Sequence, residues 1–261
     1  MFERIIHDRT ADTVIRQIEE RILDGVLRPG DRLPPERELA AILDVSRPIL
    51  RHALKELELR GLLRSRHGEG TYVSQIIGTV FEEPMVGLVR RHPRAVFDFL
   101  EYRREMEGIA CAYAAERATA PDLLILGQIL AAMHDAHRAA DPAAESRLDV
   151  EFHISIIEAA HNVVLLHMMR ACYRLMEEDV FHNRDRLYAV AAHRERLLEQ
   201  HRAIHDAIVA REPEAARAAA AAHIDFVAEA LRHVGLEQAR EENSARRLAK
   251  LERATGRAAV L

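Results

Sequence analysis

The stretch LPPERELAAILDVSRPILRHALKELELRGLLRSRHGEGTYV, residues Leu33 to Val73, decides how this chain is read. It opens on a Pro-Pro break. Leu39, Ala40 and Leu43 then recur at helical spacing and predict a short helix over Glu36–Leu43. Asp44-Val45 makes a turn, and Ser46 is a good N-cap for a next helix whose first turn accepts Pro48. That helix runs to about Arg60, where Gly61 stops it. Leu62–Ser65 and Thr71–Val73 read as short strands, and Gly68 and Gly70 around a charged tip predict a hairpin. Upstream, Val14, Ile15, Ile18, Ile22 and Leu23 repeat as a helix over Thr10–Asp24, with Gly25 just past its end. Together these pieces make a winged helix-turn-helix.

On the helix that follows the turn, Leu50, Ala53, Leu54 and Leu57 share one face, while Arg47, Arg51, His52 and Lys55 lie on the other. The apolar face anchors the helix and leaves the basic one for water or a major groove. An arginine can donate bidentately to guanine O6 and N7, so Arg47 and Arg51 are candidate base readers. Ser46 at the helix start suits a phosphate. The competing reading is an ordinary solvated face paired with Glu36, Glu38, Glu56 and Glu58. Between Val45 and His67 there are six Arg or Lys against two Glu, although the whole chain has a formal net charge of −5. Such local asymmetry fits site-directed DNA binding and argues against indiscriminate coating of nucleic acid.

With 261 residues the chain is long enough for two domains. No apolar run approaches the ~18 residues that span a bilayer. The start, MFERIIHDRTAD, has no apolar signal core, so a cytoplasmic location is expected. Cys111 and Cys172 show no CxxC spacing and read as free buried thiols. From Ser74 to Pro93 the pattern weakens into a linker with a short helix expected near Met85–Arg91. Beyond it no strand pattern appears. Helices are expected over about 95–119, 121–138, 142–160, 162–183, 190–210 and 212–234, with short connections that favour an antiparallel bundle. The expected fold class is therefore mainly α, a winged head followed by an all-α bundle. The division is 1–75 head, 76–94 linker, 95–235 bundle and 236–261 a charged tail that frays.

Asp149 and His153 lie four apart on one predicted helix and project from the same face. His201 and His223 fall on two later helices. Three imidazoles and a carboxylate converging in a bundle make an N3O set for a borderline divalent ion, with room for water or a ligand carboxylate. Against this, the chain has 15 His, most of them surface or polar-core residues, and His205 competes with His201 from almost the same face.

The Leu33–Val73 stretch resembles the DNA-binding domain of GntR-type bacterial transcription regulators, whose pattern runs LPSERELA, a glycine-containing turn, VSR, an REAL-like segment, GL and G-x-G-T-[FY]-V. The resemblance implies DNA contacts from Arg37, Arg47, Arg51 and, in the wing, His67 and Gly68. Three residues depart from the pattern: Asp44 stands for the usual turn glycine, Pro48-Ile49 for Thr-Pro or Thr-Thr, and His52 for a usual Glu. They are expected to alter operator preference more than the fold.

The pieces LEYRREMEGIACAYAAERAT, EAAHN, EQHRAIHDAI and AAHIDF, with the D-x-x-x-H spacing, are similar to the all-helical FCD ligand-binding domain of the FadR subfamily. That likeness implies a metal held by Asp149, His153, His201 and His223, zinc in the first place, with manganese or nickel as alternatives. It also implies that Arg103 anchors an organic-acid effector; the alternative is a salt bridge to Glu101, Glu105 or Glu107. Asn162 either touches ligand or caps the next helix. Within the subfamily the chain looks closest to pyruvate dehydrogenase complex repressors and to lactate or glycolate regulators, implying a small 2-oxo or 2-hydroxy acid.

The expectation is thus a homodimeric, non-enzymatic repressor on a pseudo-palindromic DNA operator, with no membrane partner. Three rival readings are a regulator that responds to metal alone, one whose metal is purely structural with the acid bound elsewhere, and a metal-dependent hydrolase with an accessory DNA-binding head. No HExxH or similar motif supplies the poised base that the hydrolase needs.

Overall fold

A computed structural model of the chain describes residues 11–66, 68–74, 92–177, 187–188 and 190–255. In chain order the described elements are α1 (Ala11–Leu23), α2 (Glu36–Ile42), α3 (Arg47–Leu59), β1 (Leu63–Arg66), β2 (Gly70–Val73), α4 (Pro93–Arg117), α5 (Ala120–Arg138), α6 (Pro142–Ala159), α7 (Val163–Glu177), α8 (Ala191–Val209) and α9 (Pro213–Thr255). The short helix expected near Met85–Arg91 lies outside the described residues. The chain forms two compact units, Met1–Glu82 with Asn162–Ala171, and Glu83–His161 with Cys172–Leu261. Among the described residues no helix is long and apolar enough to cross a membrane.

The head closes around one apolar cluster. Val14, Ile15, Ile18 and Ile22 of α1, Leu39 and Ala40 of α2, and Leu50, Ala53, Leu54 and Leu57 of α3 are buried together with Leu33, Leu63 and Val73. The helical residues among them are those whose spacing marks the three helices, except that Leu43 is only partly buried and Leu23, at the end of the α1 repeat, is exposed. β1 and β2 pair antiparallel in the register Leu63↔Val73 to Arg66↔Gly70. The segment before α2 adds to β2 through Leu33 N–H to Thr71 O at 2.9 Å and Val73 N–H to Asp31 O at 2.9 Å.

Two helix ends in the head use the same turn. After α3, Gly61 takes φ +75°, and the amides of Gly61 and Leu62 return to Glu58 and Leu57. After α2 the equivalent place is Asp44, at φ +50°, with Asp44 and Val45 amides returning to Ala41 and Ala40. The turn expected at Asp44-Val45 is therefore a left-handed cap. That conformation favours glycine and tolerates aspartate better than most residues.

In the second unit, α4 packs against α9, α6 and α8, and α5 against α6 and α8. Starts are sharply marked. Thr119 and Asp122 form a reciprocal capping box on α5, and Asp141 accepts from the Ala144 amide on α6. The tail departs from expectation: α9 continues from Pro213 through Gly235 to Thr255 instead of fraying at Leu236. The residues 236–255, rich in Glu, Arg, Ala, Lys and Leu, have high intrinsic helix propensity and contain no proline to end the run.

Candidate functional site

On the head, α2 and α3 expose Arg37, Ser46, Arg47 and Arg51 to solvent. Ser46 occupies the N-cap position of α3, yet its hydroxyl makes no capping bond, which leaves it available to an outside acceptor or donor. The Arg51 guanidinium lies 2.8 Å from Glu36, with both side chains well exposed. A pair so open to water is worth little, about 1 kcal/mol or less, and can be exchanged for a better anion. Gly68 sits at the hairpin tip with φ +76°. His67 lies outside the described residues.

The second site is inside the helical unit. Asp149 and His153 come from α6, His201 from α8 and His223 from α9, and one ligand atom from each lies within 4.8 Å of all the others. His201 Nε2 is 3.0 Å from Asp149 Oδ1 and 3.3 Å from His153 Nε2. His153 Nε2 is 3.8 Å from the same carboxylate oxygen. Tetrahedral coordination with bonds of about 2.1 Å has ligand–ligand edges of roughly 3.4 Å, so the four atoms already stand near the spacing an ion imposes. All four residues are at most 6% exposed. His205, the competing candidate, instead places Nδ1 3.0 Å from its neighbour Asp206 and is outside the cluster.

Residues behind the cluster orient two of the imidazoles. Glu107 Oε2 is 2.8 Å from His153 Nδ1, where a carboxylate favours the tautomer that carries its proton on Nδ1 and turns Nε2 to the cluster. Gln200 Oε1, 3.2 Å from His223 Nδ1, acts the same way on His223. Burial drives the His201 pKa below its ordinary value, partly opposed by Asp149. Burial, then the neighbouring imidazoles, lower His223 much further. Neutral imidazoles are what a metal needs.

Arg103 is buried, donates through Nε to Glu107 Oε1 at 2.6 Å and through Nη2 to the Tyr173 hydroxyl at 3.2 Å. The Tyr173 hydroxyl donates to Glu107 at 2.6 Å. Burial alone would raise the Glu107 pKa, but Arg103 and His153 outweigh it and hold the carboxyl well below the usual range. The ion pair that competed with the effector role of Arg103 is thus present. Arg103 nevertheless also lines a cavity of ≈ 40 Å³, with Asp149, Tyr188 and His223 on the same polar side. Its other walls are apolar, built by Val96, Phe99, Leu100, Leu187, Leu197, Val227 and Leu231. Such a space holds a few waters or one small ligand. Asn162 is not on this wall; its side-chain oxygen accepts from the Leu165 amide at 3.0 Å and caps α7.

Sequence reasoning missed Tyr173, Tyr188 and Gln200. Tyr188 reaches Asp149 Oδ1 at 3.0 Å. No spacing marks these three, because each meets the cluster only through packing of separate segments. Glu107 was visible four residues after Arg103, but only as an ion-pair partner and not as the residue that orients His153.

Comparisons with known proteins agree with both halves. Residues 10–73 match the gntR family of bacterial regulatory proteins, and residues 98–226 match the FCD domain. A regulatory protein of Escherichia coli named for the L-lactate dehydrogenase operon is 38% identical over 241 residues, 91% of this chain and 90% of that one. The Glc operon transcriptional activator of Escherichia coli is 30% identical over 87% of this chain and 90% of its own length. LutR of Bacillus subtilis is 31% identical over 80% of this chain and 95% of its own. Among solved structures, a GntR protein of Streptococcus agalactiae superposes with a TM-score of 0.54 at 28% identity, covering 85% of this chain and 98% of that one. A winged head with an exposed arginine face, joined to a helical unit that holds a buried cluster of one aspartate and three histidines, therefore has a family: the chain belongs to the gntR family of bacterial regulatory proteins, DNA-binding transcription regulators, and carries their FCD domain.

Proposed function

We propose that the chain is a homodimeric repressor whose hold on a pseudo-palindromic operator is controlled by a small 2-hydroxy or 2-oxo monocarboxylate at a metal-containing pocket. Charge carries this reading. Arg103 contributes one positive charge and Glu107 and Asp149 one negative charge each, so with the imidazoles in the neutral form that binds a metal the buried set holds a net −1. Buried uncompensated charge is costly. A divalent ion on Asp149, His153, His201 and His223 turns the balance to +1, and a single carboxylate returns it to zero. A dianion overshoots.

Zinc suits three nitrogens and one oxygen; manganese and nickel are the alternatives. When bound, the ion supplies a Lewis-acidic point at which a carboxylate and its neighbouring oxygen can sit. Arg103 adds hydrogen-bond donors at the wall, Tyr188 holds Asp149, and Glu107 and Gln200 hold His153 and His223. The apolar walls accept the short carbon end of the acid. The likeness to the lactate and Glc operon regulators supports an acid of the lactate, glycolate or pyruvate type.

On the DNA side, Arg47 and Arg51 read bases, while Arg37, Ser46, His67 and Gly68 contact the backbone and the neighbouring groove, one head to each half-site. The proposed division is a head over 1–75, a linker over 76–94 and the sensing bundle thereafter. The acid acts only by preferring one arrangement of the heads. Calorimetry of zinc-loaded protein with L-lactate, glycolate, pyruvate and malate tests the pocket. A monoacid is expected to bind and malate to bind far more weakly, with the heat lost after chelation. Heat that survives chelation places the acid elsewhere and leaves the ion a structural part. Operator binding that answers zinc but no acid selects the metal-only sensor.

A further inference from the structure

Beside the wing, the head carries a cleft of ≈ 260 Å³ whose polar lining is Arg32, Glu36, Ser65, Arg66 and Thr71. Its floor is glycine. Gly70 takes φ +114°, and a Cβ placed there would stand 2.9 Å from Arg32 Nε and 3.4 Å from Nη2. The guanidinium of Arg32 therefore rests on the Gly70 backbone, and any other residue at that position would push it away. The backbone holds the base of this side chain as well, because Arg32 bridges Tyr72 and the next amide, Leu33, donates to Thr71 at 2.9 Å. Among the described residues Arg32 has no ion-pair partner. Two hydroxyls, Ser65 Oγ and Thr71 Oγ1, face each other 3.5 Å apart on the same strand pair. Arg66 stacks over Tyr72 at 5.1 Å and reaches Glu69 only at 3.4 Å. The one carboxylate of the lining, Glu36, is already occupied by Arg51.

With two arginines and two hydroxyls against one carboxylate, the cleft keeps a positive excess even when Arg51 leaves Glu36, and it is suited to an anion that offers several acceptor oxygens. Its position says which one. α3 lies on one side and the β1–β2 hairpin on the other. A helix in one groove of duplex DNA and a hairpin directed at the next are separated by one sugar–phosphate ridge. We propose that this cleft clamps a backbone phosphate of that ridge, with Arg32 as its main cation and Arg66, Ser65 and Thr71 as further donors. Arg32 is then a positioning contact, setting the register in which Arg47 and Arg51 meet the bases without itself reading sequence.

The test uses the full chain and two 30-bp-class duplexes, one enriched by in vitro selection against the wild-type protein and one a scramble of equal composition. For Arg32→Gln, affinity should fall about three- to tenfold on both duplexes. The slope of log K against log salt should become shallower by about 0.9 per half-site. Arg32→Lys keeps the charge and should keep the wild-type slope. Ethylation interference should lose one phosphate per half-site in Arg32→Gln. Unchanged melting of the exposed-site variant establishes that the loss is not one of folding. An unchanged slope and affinity overturn the clamp, and so does a loss confined to the selected duplex, which would make Arg32 a base reader. If the wild-type protein failed to prefer its selected duplex, the regulator reading would fall instead, and the two failures are distinct.

Discussion

Glutamine at position 107 keeps the shape of the glutamate but removes the charge that holds the proton on His153 Nδ1, 2.8 Å away. With that hold gone, Nε2 is no longer committed to the cluster. Glu107→Gln should weaken metal affinity by about 10- to 100-fold. Competition against a chelating dye measures this, and an affinity equal to wild type contradicts the role. The lowered pKa values of His201 and His223 have a consequence for the metal-free protein. Below the ordinary value of 6.5 the unfolded chain binds protons that the folded one refuses, so stability is full above that pH and is lost as pH falls from 6.5 toward the folded values. Each imidazole contributes a slope of up to about 1.4 kcal/mol per pH unit in that window. Urea unfolding with chelator present should give a lower stability at pH 5.5 than at pH 7.5, and a flat profile would show that the imidazoles are not held neutral. On the DNA face, Arg51→Ala should weaken binding to a selected duplex by roughly 1–3 kcal/mol. Because Arg51 must leave Glu36 to reach a base, an unchanged affinity would mean that the pair persists on DNA.

Helix ends connect several of these elements through left-handed residues that are not glycine: Asp44, Ala140, His161 and Arg211 all have φ between +46° and +60°. Ala140 ends α5 with no side chain to compensate, while its amide and that of Asp141 return to His137 and Ala136. The left-handed strain of about 1–2 kcal/mol exceeds the entropy cost of glycine, about 0.5–1 kcal/mol. Ala140→Gly should therefore raise stability by roughly 0.5–1 kcal/mol. A lower unfolding midpoint would contradict the cap geometry. At this scale the sequence is legible wherever one local rule acts alone. Apolar spacing in α1 and α3, the stop at Gly61 and the Pro starts of α4, α6 and α9 all lie where local rules place them, within a few residues. The end of α9 is not legible in that way, because polarity suggests fraying although the residues 236–255 favour helix.

The whole molecule joins two units whose chemistry differs in how far it can be read in advance. In the head, the residues proposed to meet DNA lie on consecutive elements, so Arg37, Ser46, Arg47 and Arg51 follow from one stretch. In the bundle, only the four-residue spacing of Asp149 and His153 is local. His201 and His223 join them through the family likeness, and Tyr173, Tyr188 and Gln200 depend on packing that no spacing records. Operator occupancy, followed by fluorescence anisotropy on a selected duplex at near-physiological salt, tests the central claim most directly. Zinc-loaded protein should release the duplex on addition of L-lactate or a related monoacid, and His201→Ala should bind DNA but no longer respond. Release of the duplex by the acid from His201→Ala, or from chelated protein, would contradict a metal-centred pocket that controls the DNA-reading head.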